Sequence, residues 1–125
     1  MIVLIDSDIL IEVFRARNSD IMSKWTNLSN SNATILYSSI TAAEVWGGAR
    51  TAEFERLTDL FGTLSCISID EESGRRAGSY MRQYRKNHAV DIADALIAAG
   101  AVASKAALWT RNRKHYPMKD LAFFD

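Results

Sequence analysis

Residues 2–8 read IVLIDSD, an apolar run that ends in two aspartates. The continuous apolar run at residues 2–5, bounded by polar residues, is typical of a central parallel strand that is covered on both faces. Two aspartates, Asp6 and Asp8, follow the run directly. Because ligands bind beyond the carboxyl ends of parallel strands, these two carboxylates stand where such a sheet places its site.

Similar apolar runs and helical stretches alternate along the rest of the chain. The predicted strands lie at residues 34–37, 64–67 and 107–109, with a short terminal one at 121–124. The predicted helices lie at residues 9–15, 19–28, 41–61 with a break at Gly47-Gly48, 71–86 and 92–103, with Ser19 and Asp91 as N-caps and Gly62 as a stop. This alternation predicts a three-layer α/β/α fold with a mostly parallel central sheet.

The composition suits one compact domain. The chain has 125 residues, of which 48% are hydrophobic and 24% charged, with a single proline. Cys66 is the only cysteine and neither histidine, His88 or His115, has a ligating neighbour at zinc spacing, so the sequence predicts neither a disulfide framework nor a zinc site. The apolar opening lacks a basic n-region and soon meets Asp6, which indicates a cytoplasmic protein rather than a signal peptide or membrane span.

The net charge is zero, but the charges are unevenly distributed. Fifteen basic and fifteen acidic residues cancel, which argues against a cationic protein that coats nucleic acid. Residues 1–72 carry eleven acids and five bases, a net charge of −6, whereas residues 73–125 carry four acids and ten bases, a net charge of +6. The split would let an acidic cluster hold a metal while a basic surface meets phosphates; the alternative is that these are solvated helix faces.

Polar side chains follow several of the predicted strands. Asp6 and Asp8 follow the first strand, Glu44 lies on the helix after the second, Asp94 opens the helix before the fourth, and Asn112 comes just after the fourth. We expect these side chains to converge at one edge of the sheet. Clustered carboxylates repel and raise one another's pKa, so the pattern favours a hard cation, Mg²⁺ or Mn²⁺.

Purely structural roles are an alternative for these acids. Asp8 would cap the first helix, and Asp91 with Asp94 would cap the later one and complement its dipole. Glu44 is harder to explain in this way, because it stands in the apolar segment AAEVW, where an unpaired charge is costly.

Four segments, LIDSDILIEV, SSITAAEVWGG, DIADALIAAGAV and LWTRNRKH, occur in an order and at intervals that resemble a PIN-domain ribonuclease. The short length resembles the VapC toxins of VapBC toxin–antitoxin pairs. The resemblance implies a single PIN domain over residues 1–125, and it matches the family's acidic positions to Asp6, Glu44 and Asp94. The fourth position falls on Asn112, a neutral oxygen ligand, while Asp8 restores part of the missing charge and Asp91 is a looser auxiliary candidate.

The same resemblance implies the activity, the cofactor and the partners. We expect a type II toxin that hydrolyses RNA phosphodiester bonds with a metal-activated water, in which Asp6, Glu44 and Asp94 hold Mg²⁺ or Mn²⁺ and Asn112 orients a ligand or a water. We also expect a homodimer and a cognate VapB-type antitoxin that covers the acidic groove. Contacts to RNA phosphates are predicted first for Arg111, Arg113, Lys114 and His115, and second for Arg82, Arg85 and Lys86.

Three other interpretations stay open. LIDSDIL also suits a haloacid-dehalogenase-type phosphohydrolase with Asp6 as nucleophile and Asp8 as acid, although the chain is short and lacks clear later motifs. A receiver domain would use Asp70 as phosphoacceptor and would leave Glu44 and Asp94 unexplained. A noncatalytic PIN scaffold would only bind RNA or a protein.

Overall fold

A computed structural model describes residues 1–87 and 89–125, so His88, which was predicted not to belong to a zinc site, lies outside the described residues. The strands are β1 (Ile2–Ile5), β2 (Thr34–Ser38), β3 (Ser65–Ile67), β4 (Ala107–Trp109) and β5 (Ala122–Phe123). They form one sheet in the order β3-β2-β1-β4-β5, and all four pairings are parallel. The predicted parallel sheet is confirmed.

Helices cover both faces of this sheet. They are α1 (Ser7–Arg15), α2 (Ser19–Ser29), α3 (Ser39–Gly47), α4 (Phe54–Gly62), α5 (Glu71–Tyr84) and α6 (Ile92–Ala103). Because alternate side chains of a strand point to opposite faces, Val3 and Ile5 pack in the core shared with α1–α4, whereas Leu4 packs in the core beneath α5 and α6. The fold is the predicted three-layer α/β/α arrangement.

The predicted break at Gly47-Gly48 is confirmed, and two of the cap assignments are corrected. The stretch expected at 41–61 is two helices, α3 and α4, separated by a short 3-10 turn at Thr51–Glu53, and α3 begins earlier because Ser38 accepts a hydrogen bond from the Thr41 backbone N–H. The N-cap of α2 is Asn18 rather than Ser19, since its longer side chain reaches the Ile21 backbone N–H at 3.0 Å.

The cap of α1 is Asp6, not Asp8. The Asp6 carboxylate accepts a hydrogen bond from the Ser7 backbone N–H, and Asp8 lies within the first turn. Asp91 does occupy the N-cap position of α6, as predicted, but its side chain makes no capping hydrogen bond.

The carboxyl ends of β1 and β4 lie side by side. The Asp6 backbone N–H donates to the Trp109 carbonyl at 2.9 Å, which extends the ladder beyond β1 and places Asp6 beside Thr110. On the α6 side, Gly100 permits close helix–sheet packing, because a Cβ there would lie 2.8 Å from Ile67 Cδ1. Within residues 1–87 and 89–125, no helix is both long and apolar enough to cross a membrane.

Candidate active site

Asp6 is the centre of a hydrogen-bond network at the carboxyl edge of the sheet. Its side chain is buried, and its Oδ1 accepts from the Ser7 backbone N–H at 2.8 Å. Its Oδ2 accepts from the hydroxyls of Thr110 and Tyr116, both at 2.8 Å. A buried carboxylate is stable only when donors compensate its lost hydration, and three donors from three parts of the chain do so here.

Tyr116 links Asp6 to Asp94. The phenol oxygen that donates to Asp6 also lies 3.2 Å from Asp94 Oδ1, in the first turn of α6. Burial raises the pKa of Asp94, and the nearby Asp6 carboxylate raises it further. The same burial and the two carboxylates raise the pKa of the Tyr116 hydroxyl, so it keeps its proton. Two of the predicted metal ligands therefore face each other across one hydroxyl.

Glu44 approaches this network from α3. Its Oε1 accepts a hydrogen bond from the Ser7 hydroxyl at 2.7 Å, and the Ser7 oxygen lies 3.1 Å from Thr41 Oγ1. Glu44 is exposed rather than enclosed by the apolar residues around it in sequence, so its charge needs no buried partner. Ser7 thus connects Glu44 to Asp6, because its backbone N–H donates to Asp6 and its hydroxyl donates to Glu44.

Asp8 and Asn112 form a second pair beside Asp6. The Asn112 Nδ2 donates to Asp8 Oδ2 at 2.8 Å, and the Arg111 backbone N–H reaches the same oxygen at 3.3 Å. The other oxygen, Asp8 Oδ1, is buried without a hydrogen-bond partner. Burial raises the pKa of Asp8, and the Asp6 carboxylate raises it further. An unpartnered buried carboxylate oxygen next to a second carboxylate is an environment that a cation would stabilise.

The donor set fits a hydrated cation rather than a fully enclosed one. Among the residues that the structure describes, no three acidic, histidine or cysteine side chains approach closely enough to hold one ion between them. Instead, the Tyr116 hydroxyl connects Asp6 to Asp94, and Ser7 connects Asp6 to Glu44. Mg²⁺ normally keeps several waters, which extend the reach of carboxylates.

Asp91 and His115 line a cavity of about 250 Å³ next to Asp94. Asp91 is exposed at the start of α6, and the His115 Nδ1 lies 3.6 Å from Asp94 Oδ2. Asp91 makes no hydrogen bond to the Asp6 network, so the structure places it at the rim of the site.

Of the four residues predicted first to contact RNA, Arg111 and Arg113 form ion pairs within the chain, and His115 lies near Asp94. Arg111 lies 3.5 Å from Glu12 of α1. Arg113 pairs with Asp125, donates to the Phe124 carbonyl and lies over the Phe123 ring. Lys114 is exposed and makes no ion pair in the described part of the chain. The first two therefore also tie the loop after β4 to its surroundings.

Sequence reasoning missed the neutral side chains of the network, Ser7, Thr110 and Tyr116. The positions of Ser7 and Thr110, directly after β1 and β4, were a usable signal, because the carboxyl ends of adjacent parallel strands meet. Tyr116 had no such signal, since its contact with Asp6 spans 110 residues and depends on the path of the loop after β4.

Comparisons with known proteins agree with this fold. The family model of the PIN domain matches residues 3–122. Ribonuclease VapC10 of Mycobacterium tuberculosis is 34% identical over 117 residues, which are 93% of this chain and 86% of that protein. The structure of VapBC2 from Rickettsia felis bound to a promoter DNA fragment matches with a TM-score of 0.85 at 23% identity, over 99% of this chain and 98% of that one. A toxin–antitoxin complex from Klebsiella pneumoniae matches with a TM-score of 0.76 at 25% identity, over 96% and 95%. The chain therefore belongs to the PIN-domain family, in which its relatives are VapC ribonucleases.

Proposed function

We propose that this protein is a divalent-metal-dependent endoribonuclease and the toxin component of a type II toxin–antitoxin pair. The observation that carries the proposal is the meeting of Asp6 and Asp94 across the Tyr116 hydroxyl at the carboxyl edge of the sheet. The 34% identity to a VapC ribonuclease supports the choice of RNA as substrate. The chain acts as a single PIN domain.

Asp6, Asp94 and Glu44 would hold the cation, Mg²⁺ or Mn²⁺, directly or through its waters. When bound, this cation supplies polarisation of a phosphate oxygen and a lower pKa for bound water. Asp6 has acceptor capacity to spare for the cation on Oδ1, and Ser7 keeps the Glu44 carboxylate turned toward the site.

The neighbouring pair has a supporting role. Asn112 gives its amide nitrogen to Asp8, which leaves its carbonyl oxygen to orient a water or ligand. Asp8 adds negative charge beside Asp6 with an oxygen that lacks another partner. Asp91, at the rim, is an auxiliary group only.

RNA would approach across the basic half of the chain. Lys114 is exposed next to the site. Arg111 and Arg113 already form ion pairs with Glu12 and Asp125, and these carboxylates would compete with RNA phosphates for the two guanidinium groups. A second set of exposed basic side chains lies at the end of α5 and just after it: Arg82, Arg85 and Lys86. Phosphate contacts from such residues add affinity without sequence preference.

A cognate VapB-type antitoxin would control the activity by covering the acidic groove, and the toxin would be a cytoplasmic homodimer. Relatives of known structure include a toxin–antitoxin complex, which supports the antitoxin proposal. Copurification with the product of the adjacent small gene tests the antitoxin. A monomer in light scattering at high protein concentration would contradict the dimer.

The alternative functions are not favoured. A receiver domain would need Asp70 as phosphoacceptor, but Asp70 caps α5 by accepting from the Ser73 backbone N–H at 2.9 Å. A haloacid-dehalogenase-type phosphohydrolase is not favoured, because the family model of the PIN domain matches residues 3–122 and a relative of 34% identity is a VapC ribonuclease. A noncatalytic scaffold is not favoured, because the relatives of this chain at 34% and 31% identity are ribonucleases.

The test is an RNA cleavage assay on the purified chain. We expect cleavage that requires Mg²⁺ or Mn²⁺, stops in excess EDTA, and falls at least about a hundredfold in Asp6→Asn and Asp94→Asn. Asp120→Asn is the matched control, because Asp120 also accepts from a buried tyrosine, Tyr80, but lies before β5, at the opposite edge of the sheet. Cleavage that persists in EDTA would contradict the proposal.

A further inference from the structure

The Tyr116 hydroxyl occupies an unusual position between two carboxylates. It lies 2.8 Å from Asp6 Oδ2, after β1, and 3.2 Å from Asp94 Oδ1, on α6. The tyrosine side chain is only 3% exposed, and its ring packs in the core beneath α5 and α6. The hydroxyl is therefore held in place by the packing of the ring and not by the two carboxylates alone.

The hydrogen-bonding capacity of these groups limits what the arrangement can do. A phenol has one hydrogen to donate, and ionised carboxylates only accept. Tyr116 therefore shares one hydrogen between two facing oxygens, with the shorter contact on Asp6. Because the Thr110 hydroxyl also binds Asp6 Oδ2, that oxygen is saturated, and the remaining acceptor capacity of Asp6 is on Oδ1.

We propose that Tyr116 is a positioning residue of the cation site, one that fixes the separation and orientation of the Asp6 and Asp94 carboxylates and thereby raises the affinity for the cation. This inference rests on the proposed function. Without the hydroxyl, the two negative groups would repel with no donor between them, and Asp6 Oδ2 would keep only Thr110. Partners that orient metal-binding carboxylates typically change metal affinity by 10- to 100-fold.

Phenylalanine at this position is a specific probe. It keeps the ring that packs with Met118 and Leu121 and removes only the hydroxyl. The chain also offers a matched control in Tyr80, a buried tyrosine whose hydroxyl donates to Asp120 at 2.9 Å, outside the hydrogen-bond network of Asp6 and Asp94. Tyr80→Phe removes the same chemical group from the same kind of contact.

The experiment is calorimetric titration of Mn²⁺ into the parent protein, Tyr116→Phe and Tyr80→Phe, with thermal melts of each. We expect Tyr116→Phe to bind Mn²⁺ about tenfold more weakly and Tyr80→Phe to bind it like the parent. We also expect saturating Mn²⁺ to restore most of the RNA cleavage rate of Tyr116→Phe, with an unchanged KM for RNA.

Unchanged or tighter Mn²⁺ binding by Tyr116→Phe would overturn the inference, and so would an equal loss in Tyr80→Phe. The proposed function would still stand after such a result if the parent cleaves RNA only with Mn²⁺ and Asp6→Asn does not cleave RNA. If the parent neither binds Mn²⁺ nor depends on it for cleavage, both fail.

Discussion

The side-chain amide of Asn112 donates to Asp8 Oδ2 across 2.8 Å and so joins the loop after β4 to the first turn of α1. This contact uses the nitrogen of the amide, which cannot bind a cation, and leaves the carbonyl oxygen for other partners. The opposite oxygen of Asp8 has no hydrogen-bond partner although it is buried. In this pair, Asp8 Oδ2 is hydrogen-bonded to Asn112, whereas Asp8 Oδ1 remains an unused acceptor beside Asp6.

Asn112→Asp should destabilise the metal-free protein and tighten Mn²⁺ binding. The change replaces a donor to Asp8 with a second carboxylate, which we expect to cost about 1 to 3 kcal/mol in the free energy of unfolding. The added charge should then attract the cation. Denaturant melts and calorimetry measure the two effects, and Asn112→Ala separates the lost hydrogen bond from the new charge. Weaker or unchanged Mn²⁺ binding would mean that position 112 points away from the ion.

Ser7→Ala should release Glu44 without uncapping α1. The Ser7 hydroxyl binds Glu44, whereas the helix cap uses the Ser7 backbone N–H, which alanine retains. We expect roughly a tenfold loss in metal affinity and a similar loss in cleavage rate at limiting metal. Ser39→Ala, at an exposed serine that opens α3, is the matched control. Equal behaviour of the two variants would show that the Ser7 hydroxyl does not orient Glu44.

The metal-free protein should gain stability as the pH falls from neutral. The folded-state pKa values of Asp8 and Asp94 are raised by burial and by Asp6. Their stabilising contribution is therefore complete below the ordinary value of 3.8 and is lost as the pH rises through the raised values. Urea melts in EDTA at several pH values above about 4 should show a free energy of unfolding that increases as the pH falls.

The dependence of the free energy of unfolding on pH should weaken in Asp8→Asn and Asp94→Asn, because each variant removes one of the titrating groups. Groups with lowered pKa values, Glu53, Asp70 and Asp125, oppose it near and below their ordinary values of 4.5 and 3.8, because their stabilisation is lost as the pH falls through their folded-state values. A stability that is flat or rises with pH in the parent would contradict the expected repulsion among the site carboxylates.

Lys114→Ala should weaken RNA binding without weakening the fold. Lys114 is exposed, so we expect no change in unfolding and a decrease of about one in the salt slope of RNA affinity. Arg113→Ala should in addition lower stability only slightly, because the pair with Asp125 that it loses is exposed to solvent and screened by salt. Affinity measured against salt concentration with a catalytically inactive Asp6→Asn protein checks both. An unchanged salt slope for Lys114→Ala would exclude a phosphate contact there.

The sequence predicted the fold well because the decisive signals are local. The run before Asp6 and the run at 107–109 have the bounds of β1 and β4, whereas the adjacency of these two strands is a finding of the structure, because a parallel sheet admits several strand orders. This adjacency explains why Asp6 and Thr110 meet. The break inside 41–61 was placed near Gly47, but the 3-10 turn that separates α3 from α4 left no clear mark in the sequence.

The hydrogen bonds within the site were much less predictable. Tyr116 reaches Asp6 and Asp94 only because the loop after β4 folds back under α6, and no periodicity encodes that path. The ion pair of Arg111 with Glu12 likewise joins residues about one hundred positions apart. Charge counting assigned Arg111 to RNA, and that role stays a prediction.

Thermal melts with increasing Mn²⁺ show whether the carboxylates of Asp6 and Asp94 bind a divalent cation. We expect a melting temperature that rises with Mn²⁺ concentration in the parent and in Asp120→Asn, because a ligand that binds the folded state stabilises it by mass action. We expect Asp6→Asn and Asp94→Asn to keep the fold and to lose most of this rise. A Mn²⁺-induced rise that survives in both site variants would contradict the claim.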